Sequence, residues 1–90
     1  MNSRAQERFA AYLRDEARVA EERSANADDN GVSDIAERNA RATERLRALA
    51  DNVSNMSPEE IEHLEQMGDE AIRGFAKAMR FYDPDGGEAA

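Results

Sequence analysis

The chain has 90 residues, with 20 acidic side chains against 12 basic ones and a formal charge of −8; 17 residues are alanine, while Leu, Ile, Val and Phe together number 13. So little large apolar material argues against a deep pocket within one copy. The absence of cysteine excludes disulfide frameworks, thiolate nucleophiles and cysteine-based zinc sites, and a single histidine, His63, excludes a two-histidine metal site in one chain. The longest apolar run, Phe9 to Leu13, is five residues, far short of the roughly 20 needed to cross a bilayer. No apolar leader follows Met1, so the expectation is one small cytoplasmic domain over residues 1–90 with no membrane contact.

Three segments have helical spacing, which predicts an all-α fold: a small three-helix bundle, or a helical hairpin plus an N-terminal helix, that self-associates. The first helix is expected at about 3–23, where Phe9, Tyr12, Leu13, Ala17, Val19 and Ala20 give a broad, shallow apolar face. A polar turn follows at 26–32. The second helix, about 34–53, carries Ile35, Ala42, Leu46, Leu49 and Val53 on one face. It is expected to pair antiparallel with a third helix across a short connection.

That third helix is expected at about 58–82. Ser57, Pro58 and Glu60 form the pattern of a capping box with proline at the first helical position. Ile61, Leu64, Gly68, Ala71, Phe75, Ala78 and Tyr82 then recur at spacings of three and four, a narrow seam for packing another helix. Residues 83–90 are expected to be a disordered tail.

Charge is unevenly spread: residues 51–72 hold seven acids and no base. Asp51, Glu59, Glu62, Glu65, Asp69 and Glu70 from this block make a candidate acidic binding face. On one continuous helix, Glu62 and Asp69 would stand about 10 Å apart along the axis, and such a row could occupy the basic groove of a nucleic-acid-binding protein. In size and charge the chain is similar in type to the small acidic inhibitors that phages and mobile elements direct at restriction or CRISPR machinery. The same acids at the start of the third helix would repel phosphates, so direct nucleic-acid binding by a helix-turn-helix is not expected.

Two patterns bear on metals. Asn26, Asp28, Asn30, Gly31, Asp34 and Glu37 occupy positions 1, 3, 5, 6, 9 and 12 of a loop that resembles an EF-hand. The resemblance implies calcium held by Asn26, Asp28, Asn30, Asp34 and Glu37. It departs from the family pattern at Asn26, where an aspartate is expected, and at Ser33, where an apolar residue is expected. The competing reading is a polar turn with Gly31 in an unusual backbone angle and Ser33 or Asp34 capping the next helix. Glu60 and His63 have the Glu-x-x-His spacing similar to that of ferritin-like di-iron proteins, with Glu16 as the supporting carboxylate that resemblance implies.

Neither pattern outweighs its structural alternative, so no metal, no cofactor and no catalytic residue is expected. The expected function is a small acidic helical protein–protein interaction module that acts by binding. Its expected partners are a second copy of the chain or another protein, including a basic nucleic-acid-binding protein. The alternatives are an acidic nucleic-acid-mimicking inhibitor and EF-hand-like calcium binding at 26–37.

Overall fold

The computed structural model describes residues 2–82. It is all-α: among the described residues there are four α-helices, one 3₁₀ turn and no strand. Helix α1 spans Arg4–Asp29, α2 spans Ser33–Asp51, a 3₁₀ turn covers Val53–Asn55, α3 spans Pro58–Gln66 and α4 spans Asp69–Phe81. The expected tail at 83–90 lies outside the described residues.

Helix α1 runs six residues past its expected end at 23, because Ser24 to Asp29 continue the helix. Ser3 caps its start: the Ser3 hydroxyl accepts the Gln6 N–H at 3.2 Å while the Gln6 side-chain oxygen accepts the Ser3 N–H at 2.8 Å. At its end Gly31 takes φ 74°, the left-handed conformation that suits glycine. The Gly31 N–H bonds the Asp28 carbonyl and the Val32 N–H bonds the Ala27 carbonyl, which closes the helix in a Schellman motif. The turn thus narrows to Asn30–Val32. The expected Ser33 or Asp34 cap is not made: Val32 occupies the cap position without a side-chain bond, and Ser33 is already helical.

The main hairpin is α1 with α2, where the sequence suggested the second and third segments. A 26-residue α1 would be about 39 Å long and accounts for most of the 43 Å long axis of the molecule. Cross-links along the hairpin run in antiparallel order. The Gln6 amide donates to the Val53 carbonyl at 2.9 Å, Arg14 meets Asp51 at 3.4 Å, Arg47 meets Glu21 at 3.0 Å, and the Ser24 hydroxyl donates to the Ala36 carbonyl at 2.8 Å. The first helix therefore has its partner within its own chain, because its face of Phe9, Leu13, Ala17 and Ala20 matches Ala42, Leu46, Ala50 and Val53 of the returning segment. Ile35 and Leu49, expected on the buried face of α2, are exposed.

The expected third helix is two helices. Met67 and Gly68 are extended, with ψ 142° and 163°, and α4 restarts at Asp69. A continuous helix would put Leu64 and Phe75 on one face, since eleven residues make about three turns. The break rotates α4 so that Ile72 and Ala76 are buried beside Leu64, with Met79 packed against them. Gly68 is a poor helix former, so the chain yields there, and Asp69 then sits in the first turn, where a carboxylate complements the helix dipole. The core formed in this way joins all four helices through Phe9, Leu13, Leu46, Val53, Leu64 and Ile72. Among the described residues no helix is long and apolar enough to cross a membrane.

Candidate interaction surface

A surface with unused apolar area lies between α3 and α4. Ser57 starts α3 with the capping box its sequence promised: its hydroxyl accepts the Glu60 N–H at 3.2 Å, and the Glu60 carboxylate accepts the Ser57 N–H at 2.9 Å. The Ser57 backbone N–H, and after it the Ser57 hydroxyl, hold the Glu60 carboxyl below the ordinary range. With the helix start fixed, Leu64 turns into the core and Ile61 and Met67 are half-buried. Opposite them Phe75 stacks one ring face on Phe9, centroids 5.3 Å apart. It remains 43% exposed. Between the two helices an open groove of about 490 Å³ is lined by Met56, Glu59, Glu60, His63, Leu64, Met67 and Phe75.

The seam read from the sequence is therefore split. Leu64 is buried and Ile61 half-buried, while Gly68 caps α4 instead of lying within a helix. Ala71, Phe75, Ala78 and Tyr82 are exposed, on the flank of α4 beside the face that buries Ile72 and Ala76. They form an apolar stripe continuous in register with Phe75 of the groove. Tyr82 is 54% exposed and its neighbour Phe81 67%.

The acidic face is also divided. Asp69 is engaged within the chain: it accepts the Tyr12 hydroxyl at 2.7 and 2.8 Å and pairs with Arg8. The Tyr12 hydrogen bond, then the Arg8 hydrogen bond, hold its carboxyl below the ordinary range, and Asp69 in turn raises Arg8. Asp51 pairs with Arg14. Glu59, Glu62, Glu65 and Glu70 are exposed. Because α3 ends at Gln66, Glu62 and Asp69 do not stand on one continuous helix, and the expected even row of carboxylates is not formed.

The metal readings meet the same test. Asn26 and Asp28 belong to α1, and Asp34 and Glu37 belong to α2, so only Asn30 of the proposed ligands lies in the connecting turn. A calcium loop needs its ligands wrapped around the ion from an irregular backbone, and helix occupies most of these positions. Glu16 meets Arg80 at 3.3 Å, with side chains 18% and 9% exposed, and this pair docks the end of α4 on α1. Among the described residues no three His, Asp or Glu side chains are grouped to hold a metal ion.

Several residues that build the surface were not singled out from the sequence. Gln6 is buried and ties the 3₁₀ turn to α1; its Ser-x-x-Gln context was a legible capping signal. Arg8 and Arg80 place α4, through Asp69 and Glu16, and Tyr12, read from the sequence only as part of an apolar face, joins them with its hydroxyl on Asp69. Met67 lines the groove beside His63, and no periodicity marks it, because the groove exists only once the chain has bent at Gly68. No family model matches the chain, and no curated protein or solved structure matches it significantly.

Proposed function

We propose that the chain is a non-catalytic protein–protein interaction module that binds through the apolar surface of α3 and α4. The observation that carries this reading is the exposure of Ala71, Phe75 and Ala78 along one flank of α4, continued by Tyr82 at its C-cap, in a chain that has few large apolar residues to spend. Scattered exposed apolar residues are ordinary; a continuous set bordered by a groove marks an interaction site. The partner is another protein chain, either foreign or a second copy. The carboxylates of Glu59, Glu62, Glu65 and Glu70 lie on open helix faces, an arrangement that suits contact with a partner and lacks the enclosure acid catalysis needs.

A second reading is supported by Glu59, Glu62 and Glu65, which remain exposed on α3 in a stretch without a base: an acidic inhibitor that occupies the basic groove of a nucleic-acid-binding protein. The two readings differ in driving force. A salt-ramped pull-down from nuclease-treated host lysate separates them, run with wild type, Ala71→Glu with Ala78→Glu, and Glu62→Gln with Glu65→Gln. The module reading expects a partner held at high salt and lost with the alanine variants. A partner released at moderate salt and lost with the glutamine variants would establish the inhibitor instead.

A further inference from the structure

We propose that the groove between α3 and α4 seats a basic amphipathic helix of a partner protein, its apolar residues on the groove floor and its Lys and Arg side chains facing Glu59 and Glu60. The proposal rests on reading the chain as an interaction module and names the chemistry of the partner. The floor is Met56, Leu64, Met67 and the outer face of Phe75. Methionine is unbranched and polarizable and adapts to varied apolar side chains, which suits a surface that receives a helix. The nine residues of α3 give a wall roughly 13 Å long, enough for two to three turns of a bound helix.

Charge decides between occupants. Glu59 and Glu60 line the groove with His63, and Glu62 and Glu65 are exposed on the same helix, with no Lys or Arg anywhere in 51–72. The Glu60 carboxyl is stabilised in its ionised form by Ser57, so the rim stays negative. The arginines of α4 are directed elsewhere: Arg73 lies 4.7 Å over the Tyr12 ring and Arg80 meets Glu16. A second copy itself carries a net −8, so two copies repel one another at long range. A foreign helix with cations beside its apolar stripe satisfies both the floor and the rim.

The test uses the full chain and a synthetic 18-residue peptide with Leu at helical i, i+4, i+7 and i+11 positions and Lys elsewhere. Its counterpart carries Glu in place of every Lys. Calorimetry measures affinity and methionine-methyl NMR reports position, with Met79, packed against the core, as the internal reference. The basic peptide is expected to bind, to shift the Met56 and Met67 methyls more than Met79, and to weaken by about tenfold between low and high salt. Glu59→Lys, at an exposed position, should weaken it by about tenfold while lowering the melting temperature only slightly, through the carboxylate lost from the first turn of α3. Equal binding of the acidic peptide, no binding of either, or shifts centred away from Met56 and Met67 would overturn the proposal. So would sedimentation showing dimers whose formation perturbs the same two methyls, which would assign the groove to a second copy. A host partner retained equally by wild type and Glu59→Lys chains overturns the groove assignment and leaves the module reading standing; capture of nothing by either chain, with the peptide silent, overturns both.

Discussion

The two ends of the α1–α2 hairpin are built on different principles. Where α3 and α4 cover it, the contacts use large side chains: Phe9, Leu13, Leu46, Val53, Leu64 and Ile72, with Leu13 and Leu46 fully buried. Toward the Gly31 turn α1 and α2 meet, and the buried residues are small: Ala20, Ala27, Ala36, Ala42 and Thr43. Ala27 and Ala36 are buried outside the main cluster. Two helices with no third layer cannot enclose a leucine, but alanine lets their backbones approach and lets the Ser24 hydroxyl reach the Ala36 carbonyl. Each alanine buries little area, so this end depends on helix propensity and on its turn. The covered end holds the hydrophobic stabilisation and the candidate surface together.

The sharpest way to break this contrast is Leu46→Ala. It should cost about 2–5 kcal/mol through lost burial and a cavity, read as a lower urea midpoint with an unchanged slope if folding remains two-state. For a domain of this size that is a large share of total stability. Gly31→Ala attacks the other end. A Cβ there meets nothing within 4 Å, so its cost of about 1–2 kcal/mol comes from the left-handed backbone alone. Amide exchange should speed most near residues 24–36 and leave the Leu13 region closer to wild type; uniform acceleration would show that the two ends open as one unit.

Strengthening the covered end gives a smaller effect. Gly74 lies inside α4 with open space where a Cβ would stand, and Gly74→Ala should raise stability by about 0.5–1 kcal/mol, seen as a higher Tm. The smallest effect is at the α4 start. Asp69 is held below its ordinary carboxyl range in the folded chain, first by Tyr12 and then by Arg8. Its contribution is therefore present above the unfolded carboxyl range and lost as pH falls through the lowered folded value. Asp69→Asn should flatten the acid limb of a Tm-against-pH curve while changing Tm little at pH 7, because the group is exposed.

Sequence reading recovered the features that depend on neighbours in the chain. Ser57 and Glu60 announced the start of α3 whatever lies around it, and Asn30-Gly31 announced a turn, because capping and left-handed backbone are local properties. It misplaced the seam because Ala71, Phe75, Ala78 and Tyr82 do share a helical face with each other, and periodicity alone cannot say whether that face or the one with Ile72 and Ala76 is turned inward. It likewise counted Asp69 among the free acids, since Arg8 and Tyr12 are some sixty residues earlier.

By itself, then, the amino-acid order determined an all-α chain, the caps that start its helices, and an acidic stretch without a cation, since propensity, capping and charge need no distant partner. The tertiary structure alone decided that α1 pairs with α2, that the third segment bends at Gly68, and that Phe75 is left facing a groove. Those outcomes depend on which apolar faces can reach one another: burying Leu64 and Ile72 in the same core requires the bend, and the bend creates the surface.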